Sequence, residues 1–189
     1  MNKLTGKILI AAFLFAGFTL RVNGQAKSEY APILNKFEQW KAIQYKKGTY
    51  ETEKRCNMDT VTKDDYKGAG IGIPKDIDIS FTDINNDGKL DAIVTFHPDQ
   101  CDGGNALMNA QTRVLILSNG TTYVTDDTFI DKIESRYKKG WLNIDNATEG
   151  TFFGTYYEYK DTDGRCCPSV RRPIQIDYKT KKMTFSDKP

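Results

Sequence analysis

The chain has 189 residues, with 27 Lys or Arg, 25 Asp or Glu, one His and four Cys. One histidine excludes a multi-histidine zinc centre, and the length is that of one ordinary domain. The near-balance of charge gives no global basis for a nucleic-acid or anionic-membrane partner.

At the N-terminus, Lys3 and Lys7 precede an uncharged apolar run of 13 residues, Ile8 to Leu20, and then the small-residue stretch Val22-Asn23-Gly24. A spanning helix needs about 20 apolar residues, so residues 1–24 read as a signal peptide cleaved near Gly24/Gln25. The alternative is an uncleaved anchor. Cleavage removes Lys3, Lys7 and Arg21, leaving 24 bases against 25 acids in residues 25–189. That mature chain is expected to be a single exported α+β domain, secreted or periplasmic, with no transmembrane segment once the signal is gone.

Residues 28–45 carry Tyr30, Ile33, Leu34, Phe37, Trp40 and Ile43 at helical spacing, with Ser28 as N-cap and Pro32 in the first turn. Residues 46–76 are polar and glycine-bearing, and the sequence predicts an irregular segment held by Cys56. Strands follow at 76–81 (DIDISF), 91–96 (DAIVTF) and 112–118 (TRVLILS). Asn119-Gly120 signals a hairpin into TTYV. A second, shorter helix is expected over Asp126 to Lys139, with Phe129, Ile130, Ile133 and Tyr137 inward and Gly140 at its end. WLNI, GTFFGTYYEYK, SVRRPIQIDY and KMTFS then complete an antiparallel run. The predicted fold is α+β: a mainly antiparallel sheet with one long N-terminal helix and one short helix packed on it, stapled by two disulfides.

Cys56, Cys101, Cys166 and Cys167 form an even set in an exported chain, which implies two bridges. Bonding the adjacent Cys166 and Cys167 to each other forces a strained ring. The expectation is therefore that each joins a distant partner, Cys56 or Cys101, with a vicinal bridge as the alternative.

The most specific motif is DINNDGKLDAIVTF at 83–96. Side-chain oxygens at Asp83, Asn85, Asp87 and Asp91 alternate, the Lys89 carbonyl falls at the seventh position, and Gly88 permits a sharp bend. Hard oxygen ligands of this kind suit calcium. The twelfth position is Val94 and not the bidentate glutamate of an EF-hand, and a strand follows in place of a helix. The stretch resembles the DxNxDGxxD calcium loops of dockerin-type and FG-GAP/VCBS-like segments, over about 20 of about 165 mature residues, Ile77 to Phe96. The resemblance implies calcium ligation by Asp83, Asn85, Asp87, Lys89 and Asp91 in a structural role. With one copy, neither a propeller nor integrin-like adhesion is implied. The alternative is an Asx-type turn whose side chains cap backbone amides without metal.

For catalysis, His97 is the candidate general base, with Asp99 or Asp102 to orient it. A carboxylate pair has no spacing rule, and Glu149 and Glu158 are the candidates. No GxSxG motif accompanies the serines. The aromatic run at 151–159 puts Phe153, Tyr157 and Tyr159 on one strand face and Phe152 and Tyr156 on the other, one of which packs under the N-terminal helix. Tyr157, Tyr159, Arg165, Arg171 and Arg172 are the candidate binding surface. The function these readings favour is a secreted or periplasmic non-enzymatic binding or accessory module, stabilised by calcium and disulfides, whose partner is an envelope protein or glycan. A hydrolase using His97 or an acidic pair, and an inhibitor or immunity-type protein, are the alternatives.

Overall fold

The computed structural model of the chain describes residues 26–56, 70–101, 111–137, 140–164 and 167–186. Residues 1–25, where the signal peptide is expected, and Asp102, Arg165 and Cys166 lie outside the described residues. The elements are α1 (Ala26–Lys47), β1 (Ile71–Gly72), β2 (Asp78–Thr82), β3 (Asp91–Phe96), β4 (Asp99–Gln100), β5 (Thr112–Ser118), β6 (Tyr123–Asp126), α2 (Phe129–Glu134), β7 (Gly140–Thr148), β8 (Thr151–Glu158), β9 (Val170–Asp177) and β10 (Met183–Phe185). The mainly antiparallel α+β expectation holds, but the strands divide into two four-stranded sheets. The first runs β2-β3-β5-β6 and the second β10-β9-β8-β7, with a two-stranded β1-β4 ribbon beside them.

Alternation of side chains along the strands explains the layering. In β3, Ala92, Val94 and Phe96 face one way, joined by Val114 and Ile116 of β5, and α1 covers them with Ile33, Phe37 and Trp40. The intervening Ile93, Leu115 and Leu117 face the second sheet, meeting Leu142, Phe152, Tyr156, Ile174 and Ile176. The central strands β3 and β5 are thus buried on both faces, which is why they read as continuous apolar runs. The order of layers is α1, first sheet, second sheet. Full burial of a side chain such as Val94 or Leu115 contributes about 1.5–3 kcal/mol.

Several expectations are corrected. The N-terminal helix starts two residues earlier than predicted, so Pro32 stands inside it and not in its first turn. A ring there removes one helical N–H and crowds the preceding turn. The covered stripe is Ile33, Phe37, Trp40 and Gln44, while Leu34 and Ile43 are 41% and 51% exposed. The two exposed residues lie about one helical step to either side of the stripe. The aromatic pair Phe152 and Tyr156 packs not under α1 but against the first sheet and α2, because a whole sheet separates it from the long helix.

The second helix spans only Phe129–Glu134, since β6 continues to Asp126 and Gly140 opens a strand. Gly140 is required there: a Cβ would overlap the Tyr157 carbonyl oxygen on the paired strand. The Asn119-Gly120 hairpin forms, but with a four-residue loop between Ser118 and Tyr123. Asn119 Oδ1 closes that loop by accepting from the Thr122 amide at 3.0 Å.

The disulfide pairing also differs. Cys56 bonds to Cys101, closing a separation of 45 residues. Both distant partners are thereby used, so neither Cys166 nor Cys167 joins them. The reason lies in the ribbon. Ile71 pairs with Gln100 and Gly72 with Asp99, and Glu51 bridges to Gly72, which delivers both cysteines to one spot. The Cys56 sulfur rests on Gly72, where any side chain would collide with it. A closed loop of this length stabilises the fold by about 4 kcal/mol in the chain-entropy account.

Candidate functional site

The 83–91 loop is closed by its own backbone. Asp91, 0% exposed, opens β3 and accepts from the amides of Ile84 (2.8 Å), Asn85 (3.1 Å) and Ser118 (2.6 Å). It thereby ties the loop to the end of β5. Asp83 accepts from the amides of Asp87 (3.1 Å) and Gly88 (2.8 Å), one on each oxygen. Asn85 Oδ1 accepts from the Asp87 amide at 3.0 Å, and its Nδ2 donates to the Ser118 carbonyl at 2.6 Å. Asp87 Oδ1 accepts from the Lys89 amide at 2.9 Å, and the Lys89 ammonium donates to the Gly120 carbonyl. Asn86 and Gly88 take positive φ of 60° and 80°, the left-handed turns that Asn and Gly tolerate best.

Each of the four ligand-type side chains of the series therefore already accepts a backbone N–H, the geometry of an Asx-type turn. Among the described residues, no group of three or more His, Cys, Asp or Glu is arranged to hold a metal ion. Burial raises the Asp91 carboxyl above the usual aspartate value. The amide bonds from Ser118, Ile84 and Asn85 oppose that shift, and the Asp87 charge adds to it.

A different kind of site lies on the outer face of the second sheet. Pairing aligns Trp141, Tyr157 and Arg171 across β7, β8 and β9. Trp141 and Tyr157 stack with ring centres 4.1 Å apart and planes 10° from parallel, and the Arg171 guanidinium stands 5.4 Å from the Tyr157 ring. Neither buried cluster includes these three side chains. The Trp141 indole N–H is shielded and finds no acceptor among the described residues.

Of the predicted surface, Tyr157 and Arg171 come together. Arg172 points to the other side of β9 and lies 3.6 Å from the Phe185 ring centre at the rim of the core. Tyr159 stands past the end of β8, and Arg165 lies outside the described residues. Trp141 was missed in the sequence because WLNI reads as one more apolar strand. Only the cross-strand register puts its ring on the outside beside Tyr157.

Between the sheets, one peptide is clamped by charged side chains. The Arg113 guanidinium of β5 donates to the Leu142 carbonyl, and Glu134 of α2 accepts from the Leu142 amide at 2.7 Å. Leu142 sits on the edge strand β7, so the two side chains cap backbone groups that have no strand to pair with. Burial raises the Glu134 carboxyl, opposed by the Leu142 amide and the Arg113 charge.

The catalytic candidates are spread over several elements. His97 is exposed just past β3, and Asp99 is exposed in β4. Glu149 lies in the turn before β8 and Glu158 at its far end. An eight-residue strand separates them by about 23 Å, well beyond the carboxylate separations of glycosidases. No helix among the described residues is long and apolar enough to cross a membrane. The chain matches no family model, no curated protein and no solved structure.

Proposed function

We propose that this is an exported, non-enzymatic binding module of the bacterial envelope or its surroundings, directed by residues 1–24 and docking a protein on the outer face of its second sheet. The observation that carries the reading is the Trp141–Tyr157–Arg171 row. Tryptophan, tyrosine and arginine are the residues most enriched at the energetic centres of protein interfaces. Here they are adjacent and are not used by either core. A protein fits better than a glycan. Sugar recognition by stacking needs an open ring face, and both faces of Tyr157 are occupied, one by Trp141 and one by Arg171. The Cys56–Cys101 bridge suits an oxidising compartment. An inhibitor or immunity-type role is a special case of the same reading.

Calcium enters as an addition to the scaffold. Asp83, Asn85, Asp87 and the Lys89 carbonyl would supply the ligands, and an ion there would relieve repulsion between the Asp83 and Asp87 carboxylates. Asp91 is committed to three amides and would serve from behind. The test is a pull-down of the tagged mature protein from envelope extract, with and without chelator. The expected result is a specific protein retained by wild type and lost with Tyr157→Ala plus Arg171→Glu. Chelator is expected to weaken capture only as far as it lowers stability. Equal retention by wild type and the double variant would sink the proposal.

A further inference from the structure

A cavity of about 280 Å³ opens between α1, β5 and the start of α2, walled by Trp40, Tyr50, Thr112, Arg113, Asp127 and Asp131 among others. Its lining carries charges of both signs. Arg113 is 6% exposed, yet among the described residues its guanidinium donates only to neutral acceptors, Nε to Gln111 Oε1 at 2.6 Å and Nη2 to the Leu142 carbonyl. No ion pair among the described residues includes it. A buried arginine whose hydrogen bonds all go to neutral groups is unusual, because removing the charge from water is costly unless an opposite charge compensates. The cost is visible in its acidity: burial lowers the guanidinium to about 10, and the charges of Glu134 and Asp131 only partly offset this.

In the same lining, Asp127 is fixed in place. Its Oδ2 accepts from the Trp40 indole at 2.8 Å and from Gln44 Nε2 at 3.2 Å, and its Oδ1 accepts nothing among the described residues. Asp131 adds a second carboxylate in the first turn of α2. The Tyr50 hydroxyl is held at 3.0 Å from Thr112 Oγ1, which orients its ring along the wall.

We propose that this cavity binds a small zwitterion of the α-amino-acid class. The ligand carboxylate pairs with Arg113, its ammonium with Asp127 and Asp131, and its side chain lies on Trp40 and Tyr50. The two signs of charge in one lining match a molecule carrying both. The volume is at the small end for ligand pockets, which limits the occupant to a free amino acid or a dipeptide. The site is separate from the Trp141–Tyr157–Arg171 row, so either proposal can fail without the other.

The experiment uses the mature full chain and the free amino acids one at a time, at about 5 mM, read by thermal shift and then by calorimetry. Each hit is repeated with its amine lacking the carboxylate and its acid lacking the amine. The expected result is at least one amino acid that raises Tm, with both analogues binding at least about tenfold more weakly. Asp131→Asn, a change at an exposed position, is expected to weaken the hit about tenfold with ligand-free Tm unchanged. Asp127→Asn is the second variant with the same expectation for binding. No response from any amino acid, equal binding of either single-charge analogue, or undiminished binding by both variants overturns the proposal.

Discussion

The 83–91 loop and the outer face of the second sheet make opposite use of polar and aromatic side chains. In the loop, Asp83, Asn85, Asp87 and Asp91 all accept backbone N–H groups within a few residues or across to Ser118. On the sheet, Trp141 and Arg171 each stand against Tyr157, and none of the three belongs to either buried cluster. The region that looks most like a motif in the sequence is consumed by folding. The region with no motif holds side chains that the fold leaves over. On the proposal made above, local density of functional-looking residues is a poorer guide to the docking site than freedom from structural duty.

The strongest way to break this contrast is at Asp91. Asp91→Ala leaves three amides without their acceptor, two of them in buried surroundings, and is expected to cost about 3–5 kcal/mol in urea denaturation. A loss below about 1 kcal/mol would mean that water satisfies those amides and that the loop is not held by this carboxylate.

Calcium sharpens the same side of the comparison. A site of order 10⁻⁴ M affinity, at ten times that calcium concentration, stabilises by about 1.4 kcal/mol. The expected outcome is a rise in Tm with calcium that Asp87→Ala abolishes, with little effect of the variant in chelator. No calcium response in wild type would leave the loop as an Asx turn alone.

The pH dependence follows from burial. The Asp91 and Glu134 carboxyls are raised in the folded state, so the native protein holds these protons more tightly than the unfolded chain. Stability from these two groups grows as pH falls through their raised values and levels off below the ordinary carboxylate range. Asp163 and Asp177, lowered by hydrogen bonds from Lys160 and Ser169 and from Thr180, act in the opposite sense below that range. Denaturation midpoints between neutral pH and the ordinary carboxylate range are expected to rise on acidification, less so in Asp91→Asn. A midpoint that falls throughout contradicts the assignment.

The smallest stability effect is expected on the sheet. Trp141→Phe removes a shielded N–H that has no acceptor among the described residues while keeping a ring against Tyr157, so stability is expected to stay within about 0.5 kcal/mol of wild type or to rise. A loss above about 2 kcal/mol would show that Trp141 belongs to the fold after all.

The sequence carried the local signals well and the long-range ones poorly. The alternation Ile174, Ile176 against Gln175, Asp177 marks β9, and the apolar runs mark β3 and β5, because period-two burial is written in neighbouring residues. The α1 stripe was legible except for Leu34 and Ile43, whose apolar character does not depend on being covered. What escaped was every feature set by partners distant in sequence. These are the two-residue β1-β4 ribbon, the Cys56–Cys101 pairing it creates, the placing of a sheet between α1 and Phe152, and Trp141 beside Tyr157. The loop residues were legible as a set, but their role was not. An oxygen that binds an ion and one that caps an amide have the same letter in the sequence.

The central claim, that the outer face of the second sheet is where a partner docks, is tested most directly by hydroxyl-radical footprinting of the mature protein with and without envelope extract. The account predicts that Trp141 and Tyr157 lose reactivity several-fold in extract while the exposed Leu34 and Ile43 of α1 keep theirs. Protection on α1 with Trp141 and Tyr157 unchanged, or no protection anywhere, would contradict it.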